Sequence, residues 1–152
     1  MLRIWTHTSI AKGPQLAFER SAEVGGNTLQ IFAKSPRGRQ IPTYSQEQLD
    51  EGMALRKKYG QVWGIIHSNY LANLSKPSNE IRYEIDSIEH DFMLAHIHGY
   101  DGVNVHVGKS IGRNSVDEAM KNMVVNLEKL LKQVKNKGYG DVQFLFENTA
   151  EQ

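Results

Sequence analysis

Five short apolar segments, each but the last followed by a longer stretch with helical spacing, constrain this chain more than any other feature. The segments fall at residues 2–6, 28–33, 62–67, 103–107 and 142–146. Between them, residues 15–24, about 45–59, 81–98 and 115–137 read as helices. Ile81, Ile85, Ile88, Phe92 and Ala95 recur every three or four positions, one apolar stripe. Val116, Met120, Val124, Leu127, Leu131 and Val134 continue another. Ser45-x-x-Gln48 and Ser115-x-x-Glu118 have the form of capping boxes, and Gly60, Gly99 and Gly138 stop the helices. Each unit is long enough for a strand, a helix and a return, so successive strands run parallel through right-handed crossovers. The strands are apolar runs rather than strict alternations, as in sheets covered by helices. The expectation is an α/β fold: a parallel sheet of about five strands with four main helices. A doubly wound sheet and a piece of a β/α barrel both satisfy this pattern.

Composition closes off several classes of function. The chain has 152 residues and no Cys, which removes disulfides, cysteine zinc sites, iron–sulfur ligation and thiol nucleophiles. Eighteen Lys and Arg face seventeen Asp and Glu, for a net charge of +1, so no global field draws it to a polyanion. The start, MLRIWTH, lacks the features of a signal peptide, and no segment approaches the roughly 20 apolar residues of a membrane helix. An intracellular protein, cytoplasmic or nucleoid-associated, with no membrane partner is expected. No GxGxxG or GxxxxGK[ST] follows a strand, and Gly108-Lys109-Ser110 lacks the preceding glycine frame of a phosphate loop.

Three residues able to hold a metal occupy the same place in successive units. His67 ends the third strand, His106 lies near the end of the fourth, and Glu147 follows the apolar part of the fifth. Open α/β sheets and barrels place their sites at this C-terminal edge. Two imidazoles and a carboxylate form a known catalytic zinc set with one position open. His90, His96 and His98 fall on the third helix and read as solvated helix residues. Lys34, Arg37 and Arg39 make a basic loop beside strand two, and Lys109 and Arg113 another beside strand four. Such residues suit phosphate contacts.

The motifs around these positions resemble the endonuclease IV family of apurinic/apyrimidinic endonucleases. The resemblance rests on Thr6-His7-Thr8-Ser9, Phe32-Ala33-Lys34-Ser35, His67-Ser68-Asn69-Tyr70-Leu71-Ala72-Asn73-Leu74, Asn104-Val105-His106-Val107-Gly108 and Glu147-Asn148-Thr149-Ala150. Asn69 stands where the family usually has Ser, Val107 where Pro is common, and Glu151 where Gly commonly follows. The family is a (β/α)₈ barrel that uses three zinc ions to cut DNA on the 5′ side of abasic sites. The resemblance implies that His67, His106 and Glu147 bind one zinc, with Glu147 also bridging to a second. It places His7 close to the site, with His7 and Glu147 the expected catalytic residues, and matches Arg37 and Tyr70 to loop positions that engage or distort DNA. With the nearby Lys34, Arg39, Asn69, Lys109 and Arg113 these are the expected contacts to double-stranded DNA carrying an abasic site. The family's remaining metal ligands lie beyond this motif.

Residues 1–152 therefore read as a single partial β/α-barrel domain of endonuclease IV type. The expected function is zinc-dependent phosphodiester hydrolysis at abasic sites, incomplete or dependent on a partner. The alternatives are an inactive DNA- or metal-binding paralogue, or another metal-dependent barrel enzyme such as a sugar isomerase. A complete barrel takes about 250 residues. The open sheet edges of a shorter one invite a homo-oligomer or a separately encoded C-terminal half.

Overall fold

Strand order separates the two sheet architectures. A computed structural model of the chain describes residues 2–106, 108–110 and 115–147. In it β1 (Trp5–His7), β2 (Thr28–Phe32), β3 (Trp63–His67), β4 (Gly102–His106) and β5 (Gln143–Glu147) lie side by side in chain order. All four pairings are parallel. A doubly wound sheet reverses its order at a switch point, whereas an unbroken succession is an arc of a β/α barrel. The connecting helices are α1 (Ala17–Glu23), α2 (Gln46–Lys58), α3 (Arg82–His98) and α4 (Val116–Asn136), with a 3₁₀ turn at Pro14–Leu16 ahead of the first.

Local signals account for most element ends. Ser45 and Gln48 form a complete capping box at the start of α2, and Ser115 Oγ accepts the Glu118 N–H at the start of α4. Gly99 ends α3 in the left-handed conformation, φ 66°, which glycine adopts without steric cost. The first strand is shorter and later than its apolar run. Asn27 takes up the backbone of residues 2–4 in place of ladder bonds: its amide donates to the Leu2 carbonyl and its Oδ1 accepts the Ile4 N–H.

Period-two alternation divides the strands between two faces. Leu29, Ile31, Ile66, Val103 and Val105 point to the helices and join Phe18, Ile81, Ile85, Ile88 and Phe92 in one core, all buried. Each of these larger side chains contributes about 1.5 to 3 kcal/mol by leaving water. The α3 stripe read from sequence is thus the inner face of that helix. The other sheet face carries Trp5, His7, Gln30, Phe32, Trp63, Ile65, His67, Asn104, His106 and Glu147, placed in rows by the parallel register.

The α4 stripe departs from expectation. Val116, Met120, Val124 and Leu131 are exposed, while Val134 is buried and Leu127 packs against the core as read, joined on the buried side by Ala119, Asn126 and Leu130. That helix packs on α3 along one side only, and β5 is paired only with β4 among the described residues. Phe146, on the helix-facing side of β5, is also exposed.

Of the α3 histidines, His96 is exposed as read, whereas His98 departs. His98 is fully buried, and neither ring nitrogen has a hydrogen-bond partner among the described residues. Its ring fills the space beside Gly52, where a β-carbon would stand 2.9 Å from Nε2. His96 pairs with Asp141 at 2.8 Å. Burial, reinforced by Arg56, lowers the His98 pKa from 6.5 to about 4. The unfolded chain therefore takes up a proton below pH 6.5 that the folded chain refuses until about pH 4. Stability is full above pH 6.5 and falls by about 3 kcal/mol as pH drops through this window. Urea denaturation at pH 7.0, 5.5 and 4.5 should show a loss that His98→Leu reduces, the remainder coming from His7, His90 and His106, which burial also holds below the ordinary histidine value.

Candidate metal centre

Because every strand is parallel, all five finish at one rim of the sheet, and the polar residues of the open face meet there. Phe32, His67, Asn104 and Leu145 occupy one row, and His106 and Glu147 the next. His67 Nε2 lies 3.1 Å from Glu147 Oε2, and His106 Nε2 lies 3.9 Å from Glu147 Oε1. The three candidate ligand atoms fall within 4.8 Å of one another. The two imidazole rings stand edge to face, centroids 5.1 Å apart.

The donor set fits a metal ion. His67 Nδ1 is 2.6 Å from the Ser68 carbonyl, an acceptor only, so Nδ1 carries the hydrogen and Nε2 presents its lone pair. In the neutral ring that lone pair faces a carboxylate oxygen, and a positive charge between the two, a metal ion or a second ring proton, satisfies both. Burial, then the neighbouring His67, holds the His106 imidazole below the ordinary histidine value, with Glu147 opposing. A neutral imidazole is the form that binds metal. Asn104 donates to Glu147 Oε2, steadying the carboxylate. Sequence reading passed over Asn104 as a site residue, although it lies two residues before His106 and so shares its face.

Tyr70 walls the site. It is exposed, with its ring 5.7 Å from His67 and 5.3 Å from His106. His7 stays outside the cluster. It lies in the row behind Phe32, whose ring stands between it and His67 at 5.0 and 4.9 Å respectively. Burial and then His67 lower its pKa, and Gln30 Nε2 meets its Nδ1 at 3.2 Å. A cleft of about 400 Å³ lined by His7, Thr8, Ser9, Phe32, Lys34 and Ser35 opens beside it.

The basic residues divide. Arg37, Arg39 and Lys109 are exposed at the same rim. The Arg39 guanidinium lies 5.0 Å over the Tyr83 ring, and the buried Asn73 side chain clamps the Lys109 backbone through both its N–H and its carbonyl. Arg113 lies outside the described residues. Lys34 corrects the expectation of a wholly exposed basic loop: it is 3% exposed and paired with Asp91 of α3, with a further bond to the Ser87 carbonyl. A buried ammonium requires such a partner. Asn69 is likewise turned inward, donating to the Gly38 carbonyl and the Tyr83 hydroxyl, so it braces the loop that carries Arg37 and Arg39.

The fold and the ligand set define a β/α-barrel arc with a candidate His-His-Glu metal site at its C-terminal rim. Residues 18–152 match the family model described as xylose isomerase-like TIM barrel, and the chain belongs to that family. Within it the chain is similar to the "Probable endonuclease 4" of Haloarcula marismortui. They are 35% identical over 131 residues, covering 86% of this chain and 47% of the relative. The solved endonuclease IV from Thermus thermophilus superposes with a TM-score of 0.81 at 29% identity, over 99% of this chain and 53% of that one. A D-tagatose 3-epimerase-like protein shares the fold at 19% identity, with a TM-score of 0.70 over 97% of this chain and 54% of that one. The chain thus spans about half the length of the proteins it matches.

Replacing His67, His106 or Glu147 by Ala should each weaken zinc binding more than about 100-fold, beyond the range of outer partners. Competition against a chromophoric chelator measures this. Lys34→Met should cost about 3 to 5 kcal/mol of folding stability in chemical denaturation, because it strands the buried Asp91 carboxylate.

Proposed function

We propose that this chain supplies the first zinc site and part of the DNA-binding rim of a phosphodiester hydrolase acting at abasic sites in DNA. The convergence of His67, His106 and Glu147 at the C-terminal rim carries the reading. The similarity to endonuclease IV proteins over their N-terminal half supports it. Zinc held there supplies Lewis acidity toward a phosphoryl oxygen. The chain's own groups do the rest. Asn104 orients the Glu147 carboxylate, and the Ser68 carbonyl sets the His67 tautomer. Tyr70 and His7 border the reacting region, and Arg37, Arg39 and Lys109 hold the phosphate backbone.

Arg113 belongs to the same proposal for DNA contact. Lys34 and Asn69 serve it indirectly, by holding the loops. A one-metal centre with exposed edges acts on DNA only when the rest of a barrel is present, as a separately encoded C-terminal half or a second copy. The exposed apolar run Val116, Met120, Val124 and Leu131 on α4, together with the exposed Phe146 of β5, is the surface such a partner covers. No helix among the described residues is long and apolar enough to cross a membrane. A DNA substrate places the protein in the cytoplasm or nucleoid.

A second reading is favoured by the count of ligands. The described residues hold one candidate metal group, which suits a zinc- or DNA-binding protein without hydrolysis. Zinc-loaded protein incubated with duplex DNA carrying one abasic site distinguishes them. A cut at the lesion, in the chain alone or after adding the C-terminal half of an endonuclease IV relative, is expected, and Glu147→Ala should remove it. Retained zinc and DNA binding without a cut in either arrangement leaves the non-catalytic reading. Isomerisation of a small sugar without lesion cleavage would point to the sugar-enzyme alternative.

A further inference from the structure

The His67 ring is held from behind by a chain of buried groups that reaches across two strands into the helix layer. Its Nδ1 donates to the Ser68 carbonyl at 2.6 Å. Ser68 is fixed at two further points: its N–H donates to the Asn104 carbonyl at 2.8 Å, and its Oγ donates to Asp91 Oδ2 at 2.8 Å. Asp91 Oδ1 pairs with Lys34, whose ammonium also donates to the Ser87 carbonyl at 2.9 Å. His67, Ser68, Asp91, Lys34 and Ser87 are all at most 4% exposed.

We infer that the buried Ser68–Asp91–Lys34 chain is a positioning device that keeps His67 in the tautomer and orientation required of a metal ligand. The inference rests on the metal-site reading above. Its physical basis is the order of the bonds. The carbonyl that faces Nδ1 belongs to Ser68 itself, and a Ser68 free to turn could swing it away, leaving the ring to carry its hydrogen on either nitrogen. With the Ser68 N–H and Oγ both tied, its Cα and carbonyl carbon are fixed. The side chain of the next residue, Asn69, is held by the Gly38 carbonyl and the Tyr83 hydroxyl, which limits how far the Ser68–Asn69 peptide plane can turn. Asp91 acts on Ser68 as an ionised acceptor and does not touch the ring. Lys34 neutralises a carboxylate that has no access to water. Second-neighbour groups of this kind set the tautomer and basicity of ligating histidines, and their loss typically weakens metal binding about 10- to 100-fold.

The test uses the full chain and zinc alone. Long-range nitrogen–proton spectra of the metal-free protein should show His67 as the Nδ1–H tautomer. Ser68→Ala leaves the Lys34–Asp91 pair in place, and it should mix the two tautomers and weaken zinc binding about 10-fold. Ser68→Thr, which keeps the hydroxyl, should restore both readings toward wild type. An Nε2–H tautomer in the wild-type protein would overturn the inference without any variant. Unchanged zinc affinity in Ser68→Ala would overturn it as well, as would weakened binding with an unaltered His67 tautomer. His67→Ala serves as the control that separates the two claims. If it binds zinc like wild type the metal-site reading itself fails, whereas if it loses zinc while Ser68→Ala does not, only the positioning role fails.

Discussion

Parallel pairing in unbroken chain order is the constraint from which the remaining structure follows. Every strand ends at one rim, so groups far apart in sequence, such as His67 and Glu147, come within hydrogen-bond distance. The same register sorts side chains by parity. Leu29, Ile31, Ile66, Val103 and Val105 turn to the helices, while Phe32, His67, Asn104 and His106 turn the other way. A slip of one residue in any pairing would exchange the core for the site.

Polar groups inside the helix layer are the second organising element. Most carry partners: Lys34 with Asp91, Lys76 with Glu84, and Asn126 with the Leu74 and Lys76 carbonyls. These pairs tie α3 and α4 to the loops at the strand ends, where the sheet by itself would leave the backbone free. His98 is different, being buried as a neutral ring between α2 and α3 without a hydrogen bond among the described residues. It fills volume beside Gly52 at the expense of acid tolerance.

Among the described residues the arc is open at both ends, and the apolar surface follows the opening. Trp5 on the first strand and Phe146 on the last are about half exposed, as is much of the outer stripe of α4. Exposed apolar surfaces of this kind mark places of association. They lie at the positions where the next β/α unit of a closed barrel would stand, which agrees with a chain spanning about half the length of its relatives.

The sequence by itself determined the number and kind of elements, their parallel sense and the three metal-capable residues. Each of these depends on short-range pattern: apolar runs, helical spacing, capping residues, and polar side chains at strand ends. It left the choice between a doubly wound sheet and a barrel arc undecided from pattern alone, because strand order is a property of pairing and not of any single segment. It also misplaced groups whose environment comes from another part of the chain. Lys34 reads as a loop cation until Asp91, 57 residues later, neutralises it. His98 reads as solvated until α2 packs over it, and the α4 stripe reads as one continuous face until packing on α3 buries Val134 and leaves Val116, Met120 and Val124 exposed. Only the tertiary structure decided these, since burial and charge pairing depend on what lies opposite in space.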